Sequence, residues 1–403
     1  MTPNSVWKRV HRVAPHLIQD LLAQLVGYGF HPPALKIADG IVLDMPGKPS
    51  YDSHSSFRVI VLLQTFSKIL ERIMNSRLSC VARGAVLLDP HQCGSLAGLS
   101  ASDATATLTH EVRTLQMAGK KVSMLFLDIK GGFDNVNPST LFGMLKARPL
   151  SPYLVSWTRS FLTSQTCRLR YQGSPRVFAP VAVGTPQGSP FSPLLFVIYV
   201  SRFHREIPQG LTLSYLDDFA LSVASTSYGP NIQSLHRQYA VLKAWGARLG
   251  SGFSIPKTEF IHWRTYRDRG AVSRSPIHLD GSIFPPRDEV RWLGSWFTPS
   301  ISTTTHFTKR LAKAQAAVVA VKRLSPPGMG LPPILCHRLP SSLLFPIRSY
   351  GADVFKPTVH MTRKLSAFWH KVQRWSTNCF TCTPTDILAV EGCLPPLDLL
   401  LAY

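Results

Sequence analysis

Residues 214–218 read Ser-Tyr-Leu-Asp-Asp. Apolar side chains alternate into this run at Leu211, Leu213 and Tyr215, and out of it at Phe219, Leu221 and Val223. Alternation marks a half-buried strand, so the stretch predicts two short antiparallel strands with Asp217 and Asp218 at the turn between them. Neighbouring carboxylates repel, and a fold that holds two together needs a cation to offset the charge. Mg²⁺ suits such hard oxygen ligands and leaves room for phosphate oxygens. An isolated Asp-Asp pair is equally an ordinary polar turn. Two upstream segments give these aspartates another meaning.

Val122–Leu127 is an apolar run that predicts a strand, and Asp128 stands at its C-terminal end. Nucleotide polymerisation by two metals needs carboxylates from separate strands to bridge both ions. Asp128 with Asp217 and Asp218 supplies three. Phe133 follows, where a bulky ring could sit beneath an incoming sugar; taken alone it reads equally as core. Asp134 reads as structural, capping a turn through Asn135. The other segment is Gly184-Thr185-Pro186-Gln187-Gly188-Ser189-Pro190-Phe191-Ser192-Pro193, followed by apolar Leu194, Leu195, Val197 and Ile198. Glycines and prolines predict a rigid turn open to close approach. Ser192 is the predicted cap of a helix with Pro193 at its first position, reaching about His204. Gln187, on the loop, is a candidate contact to a nascent base pair or template strand.

Composition points the same way. The chain has 403 residues, enough for two or three domains, and 45% hydrophobic content, enough for a real core. Lys and Arg number 44 against 22 Asp and Glu, a net charge of +22 that favours a polyanionic partner, most simply nucleic acid. Seven scattered cysteines predict free thiols in a reducing compartment. No apolar run reaches the length of a membrane span, and the N-terminus carries no signal-peptide core.

Outside these segments, residues 5–29 predict one helix, ended by His31-Pro32-Pro33. Phe57–Leu63 predicts a buried strand, followed by a helix from Thr65 with Phe66, Ile69, Leu70 and Ile73 inward. His91–Gly98 reads as a loop. Residues 264–276 form a predicted basic loop. From Thr305 a helix carries Lys309, Arg310, Lys313, Lys322 and Arg323, a one-sign face suited to a phosphate backbone. Phe368, Trp369 and Trp375 are predicted core. Cys379 and Cys382 have zinc-like spacing without a clear second pair, so no zinc site is expected.

Taken together, Phe126-Leu127-Asp128 with Phe133, Gly184 to Pro193, and Tyr215-Leu216-Asp217-Asp218 resemble the A, B and C motifs of a reverse transcriptase. The wording is similar to the polymerase of non-LTR (LINE-type) retrotransposons, in particular fungal, Tad-like elements. Arg58-Val59-Ile60 to Glu71-Arg72 resembles the family's finger segment, Gly252 to Glu259 resembles motif D, and Arg291-Trp292-Leu293-Gly294 resembles the primer grip. The motifs fall in the family's order over roughly residues 30–300.

The resemblance implies an α+β right-hand polymerase: fingers, a palm with an antiparallel sheet, and a helical thumb. The expected division is a helical lead-in at 1–30, fingers and palm at 30–298, and a basic thumb at 299–403. It implies RNA-directed DNA synthesis from a primer 3′-hydroxyl, with RNA template, DNA primer and dNTPs as partners and no membrane. By resemblance Asp128, Asp217 and Asp218 hold two Mg²⁺ ions, Phe133 excludes a 2′-hydroxyl, and Lys257 lies near the pyrophosphate. Arg58, Lys48, Gln187 and Gly188 would contact substrate, and Trp292, Leu293 and Gly294 the primer. Target-primed insertion implies a nuclear site of action. Departures from the pattern fall in the fingers: Val59 replaces a usual proline, Met45 a usual lysine, and Ser95-Leu96 a usual Phe-Arg. The length leaves no room for an endonuclease or RNase H, so a piece of a larger element is expected. A non-catalytic nucleic-acid-binding remnant and an RNA-directed RNA polymerase are the alternatives; a large residue at 133 speaks against the latter.

Overall fold

Pro15 divides the N-terminal periodic stretch. Instead of one helix over 5–29, the computed structural model has α1 (Asn4–Val13) and α2 (Pro15–Gly27). Ala14 between them, at φ −142° and ψ 67°, is excluded from the helical region by the proline that follows. The structure describes residues 3–48, 50–53, 56–84, 87–170, 177–207, 210–265, 272–324, 338–395 and 397. Residues 266–271 of the predicted basic loop lie outside them.

The elements continue in chain order with β1 (Ile37–Asp44), β2 (Phe57–Leu62), α3 (Thr65–Gly84), α4 (Ala101–Met117), β3 (Lys121–Lys130), α5 (Pro138–Lys146) and α6 (Pro152–Leu162). After β4 (Gln165–Arg170) and β5 (Val177–Val181) come α7 (Ser192–Val200), α8 (Phe203–Glu206), β6 (Thr212–Tyr215), β7 (Asp218–Ser225), α9 (Tyr228–Arg248), β8 (Gly252–Phe253) and β9 (Glu259–Trp263). Two hairpins follow, β10 (Ile277–Leu279) with β11 (Ser282–Phe284) and β12 (Val290–Trp292) with β13 (Ser295–Phe297), and then α10 (Thr303–Leu324). The chain forms two compact units that interleave in sequence: residues 1–100, 126–221 and 234–258, and residues 101–125, 222–233 and 259–403. Mixed helix and sheet is the α+β class that the motifs imply.

In the first unit, one sheet has the order β2-β1-β4-β5, with β1 antiparallel to β2 and parallel to β4. β2 is therefore an edge strand, and Arg58, Val59 and Ile60 are exposed, against the buried strand read from its apolar run. The second sheet has the order β6-β7-β3-β8, with antiparallel pairing of β6 to β7 and of β3 to β8. α7 is buried from Leu194 to Val200, as its continuous apolar sequence requires. Its first turn is capped not by Ser192 but by Ser189, whose Oγ accepts the N–H groups of Phe191 and Ser192. α7 stops at Val200, short of His204. Trp157, Phe161 and Phe191 form an aromatic cluster beside His31. Phe203 packs edge-on against both Phe219 and Trp245.

In the second unit β9 pairs with β3, and Phe260, Ile261, His262 and Trp263 are buried. Ser123 Oγ bonds His262 Nδ1, and Asn231 Nδ2 donates to Ser123 Oγ and the Lys121 carbonyl. Phe368 and Trp369, on the helix Val359–Thr377, enter apolar clusters with Ala314, Leu344, Leu365, Val372 and Leu394. Trp375 is half-buried. No helix among the described residues is long and apolar enough to cross a membrane.

Candidate active site

β6 and β7 form a hairpin in which Tyr215 pairs with Asp218, leaving Leu216 and Asp217 as its turn. β3 lies beside β7 in the sheet, and the Ile129 N–H donates to the Asp217 carbonyl at 3.0 Å. The end of β3 thus delivers Asp128 to the turn, where its charge acts on Asp217 and Asp218 and that of Asp217 acts on Asp218. Burial raises Asp217 above the ordinary carboxylate range, and Asp128 adds to the rise; its own backbone N–H, Lys257 and Arg58 oppose it. Asp218 is raised to about 6, first by burial, then by Asp217 and Asp128, with Lys257 opposing. These are the signs of a carboxylate cluster short of positive charge.

Lys257 provides some of that charge. β8 pairs with β3 through Ile129–Phe253 and Lys130–Gly252, and the Ser254 N–H donates to the Asp128 carbonyl. The turn at Ile255–Lys257 then places the Lys257 ammonium 2.9 and 3.0 Å from the two Asp128 carboxylate oxygens. Among the described residues no group of three His, Cys, Asp or Glu side chains stands ready-made as a metal cage. The donor set nevertheless fits a hard divalent cation. Its oxygens are carboxylates, their mutual field favours a cation, and an ammonium already lies against Asp128.

The loop Gly184–Ser189 is stitched to the segment after Asp128. Gly184 and Thr185 donate to the carbonyls of Val136 and Phe133 at 2.8 Å each. Phe133 is half-buried and stacks on Phe196, ring centroids 4.8 Å apart. Gln187 Nε2 donates to Asp134 Oδ1 at 3.0 Å. Asp134 is therefore a partner of Gln187, and Asn135 closes the turn by itself, through its N–H to Gly131 and its Nδ2 to Lys130. On the far side of the loop, Val61 N–H donates to the Gln187 carbonyl, tying it to β2.

Gly188 has φ +132°, and a Cβ there would stand 2.3 Å from the Val61 carbonyl oxygen. Only glycine takes that conformation at little cost, and backbone cannot give way as a side-chain end can. Gly188→Ala should therefore cost about 2 kcal/mol or more and cut the activity of the site, as read by a denaturant midpoint beside a turnover assay. Wild-type stability in this variant would show that the loop is not pinned to β2.

Sequence reasoning missed Glu71 and Ser189 as a pair. Glu71 is fully buried in α3 and accepts hydrogen bonds from Ser67 and Ser189, so the residue that caps α7 is anchored to α3. Burial raises the Glu71 carboxyl, and the two serines oppose the rise. A glutamate amid the inward residues of a predicted amphipathic helix was the available signal.

Arg58 belongs to the constellation through its field on Asp217, whereas Lys48 lies half-buried in the β1–β2 connection and is not among the groups acting on the carboxylates. In the second unit, Trp292 pairs with Ser295 across a turn in which Leu293 and Gly294 both have positive φ, 46° and 78°. Two left-handed residues in sequence match the twist of a tight hairpin. Tyr350 Oη donates to the Leu293 carbonyl, and Arg310 donates to that of Gly294 at 2.7 Å while lying over the Tyr350 ring. Arg310 is thus buried, not part of an open basic face. Lys309 pairs with Glu289 at 2.7 Å. Lys309 is nonetheless exposed, as are Lys313, Lys322 and Arg323.

Residues 47–297 match the family described as "Reverse transcriptase (RNA-dependent DNA polymerase)". Over 98% of its length the chain is 26% identical to a 115 kDa protein in the type-1 retrotransposable element R1DM of Drosophila melanogaster, of which it covers 38%. It is 24% identical to the RNA-directed DNA polymerase from mobile element jockey of the same species, over 86% of the chain and 38% of that protein. The chain spans less than half the length of these curated relatives. Among solved structures, apo telomerase from Candida tropicalis aligns with 67% of the chain and 55% of its own at 10% identity and a TM-score of 0.45.

Proposed function

We propose, since this chain belongs to the reverse transcriptase (RNA-dependent DNA polymerase) family, that it is the polymerase portion of a LINE-type, Tad-like retroelement. It extends a DNA primer 3′-hydroxyl with dNTPs while copying RNA. The observation that carries this reading is the convergence of Asp128 with Asp217 and Asp218, the latter two with raised carboxyls, beside the Lys257 ammonium. These three aspartates would hold two Mg²⁺ ions. Bound there, the ions supply activation of the 3′-hydroxyl and charge neutralisation at the leaving pyrophosphate.

The chain's own residues do the rest. Phe133, backed by Phe196, sits beneath the sugar and excludes a 2′-hydroxyl. Gln187 and Gly188 border the templating base, and Arg58 with Lys48 draws in the triphosphate. Lys257, which here pairs with Asp128, would hand a proton to the pyrophosphate. The Trp292–Gly294 turn, clamped by Tyr350 and Arg310, grips the primer. Lys313, Lys322 and Arg323 follow the phosphate backbone. In this assignment residues 1–30 lead in, 30–298 form fingers and palm, and 299–403 the thumb, and the protein acts in the nucleus.

Primer extension on a primed RNA template with Mg²⁺ tests this, with deoxy- and ribonucleotides supplied separately beside an Asp217→Ala/Asp218→Ala control. DNA synthesis that vanishes in the control is the expected result. Extension with ribonucleotides alone would make the chain an RNA polymerase. No extension, with salt-sensitive RNA binding retained, would leave an inactive nucleic-acid-binding remnant.

A further inference from the structure

The turn that carries Asp217 and Asp218 is conformationally costly. Leu216 has φ +58°, a left-handed conformation that costs a leucine about 1 kcal/mol or more, so the surroundings must hold it. β3 holds one side, through Ile129 and the Asp217 carbonyl. The other side is held by a segment that no motif singled out, His91–Gly94. The Ser214 N–H donates to the His91 carbonyl at 3.0 Å and the Cys93 N–H to the Ser214 carbonyl at 2.9 Å, so this segment runs along β6. Gln92 then turns its side chain to the catalytic turn. Its Oε1 accepts the Leu216 N–H at 3.3 Å and the Gly94 N–H at 3.1 Å. Gly94 packs so closely that a Cβ would lie 2.5 Å from the Leu216 nitrogen.

Gln92 is 1% exposed, and its Nε2 is buried with no hydrogen-bond partner. Two backbone donors fix which end of the amide faces the turn. A buried, unpartnered amide N–H₂ costs about 1–3 kcal/mol, so a site needing only bulk would be better filled by methionine. What Gln92 supplies is an acceptor that satisfies the Leu216 N–H in a conformation where β6 and β7 leave it unpaired.

We propose that Gln92 is a positioning residue of the catalytic turn: its side-chain oxygen holds Leu216 left-handed and so fixes where the Asp217 and Asp218 carboxylates stand. The catalytic consequence rests on the polymerase function proposed above; the structural one does not. Catalytic groups displaced by about 1 Å lose on the order of a hundredfold in rate.

The test compares wild type, Gln92→Met, Leu216→Gly and the double variant as full chains. Glycine takes positive φ without strain, so it removes the need that Gln92 meets. Gln92→Met should lower kcat for single-nucleotide addition about 10- to 100-fold and leave the Kd for primed template within about twofold. Its further loss in the Leu216→Gly background should be well below that in the wild type. Hydrogen exchange, read without nucleotide or metal, should show protection lost in Gln92→Met at residues 215–218 and kept in α7. If wild type extends no primer, the polymerase reading fails and the exchange result alone decides. If Gln92→Met does not fold, the double variant must fold. Unchanged exchange at 215–218, additive losses in the cycle, a kcat effect matched by lost template binding, or a double variant that is also unfolded would each overturn the proposal.

Discussion

Asp218→Asn should yield a protein that is more stable than wild type at pH 8 and at least a hundredfold slower in primer extension. Its carboxyl is raised from 3.8 to about 6 by burial and by Asp217 and Asp128. A folded-state value above the unfolded one means that the fold favours the protonated form. The stability this brings is fully present below pH 3.8 and is lost as pH rises through about 6. At pH 8 wild type carries the whole penalty. A shift of that size corresponds to a ceiling of about 3 kcal/mol, and the partial exposure of the turn brings it nearer 1–2 kcal/mol. Asparagine keeps the shape without the charge, so the difference should open between pH 4 and 6 and stay level above. The same charge is what a cation would bind, and removing it should cost the catalysis proposed for the cluster. Urea midpoints without divalent ions at pH 4 and pH 8, beside extension rates across a Mg²⁺ titration, read both halves. A variant no more stable at pH 8 would show that the carboxylate is not strained, and one as fast as wild type that it is not used.

The parts of this site legible in the sequence are those set by local pattern. Alternation around residues 214–218 yields the β6–β7 hairpin, and an apolar run ending in Asp128 yields β3, because a strand writes its faces into its own residues. What stayed hidden is set by pairing at a distance. The resemblance brings Lys257 to the pyrophosphate, but nothing in Gly252–Lys257 itself says that this short strand will lie against the end of β3 and set the ammonium on Asp128. Nothing in the basic periodicity of α10 says that Arg310 turns inward to the Gly294 carbonyl while Lys313 stays out. The strand at 57–62 was misjudged because an apolar run looks the same at a sheet edge as at its centre; neighbours decide. The positive φ of Leu216 escaped for a related reason. Leucine is a poor residue for a left-handed turn, and Gln92, which makes the turn tolerable, lies 124 residues earlier in the chain.

Acid should begin to unfold this protein as soon as the pH falls below about 6.5, well before ordinary carboxylates titrate. His31, His204 and His262 are each lowered from 6.5 to about 4, and burial is the first cause in every case. Lys36 adds to the depression at His31, while at His204 Asp89 raises and His91 lowers. His31 lies in the aromatic cluster with Trp157 and Phe161, His204 bonds Thr212 and Ser214, and His262 bonds Ser123. For a base whose folded value is depressed, the unfolded chain takes up the proton first. The stability of the neutral form is complete above 6.5 and is lost as pH falls from there to about 4. Each group has a ceiling of about 3 kcal/mol, and three together approach the whole stability of a typical domain, about 5–15 kcal/mol. Asp217, Asp218 and Glu71 pull the other way, since protonation relieves their burial. Three fully or nearly fully buried imidazoles outweigh two partly exposed turn carboxylates and one carboxyl already bonded by two serines, so the net slope is destabilising. His31 and His204 lie in one compact unit and His262 in the other, so both should weaken. Urea midpoints taken every half unit from pH 7.5 to 4.5 should fall steeply below 6.5. His262→Gln, which keeps an acceptor for Ser123, should flatten part of that fall, and Asp218→Asn should steepen it by removing an opposing group. A midpoint level from pH 7 to 5 would mean that these histidines already take up protons in the folded state.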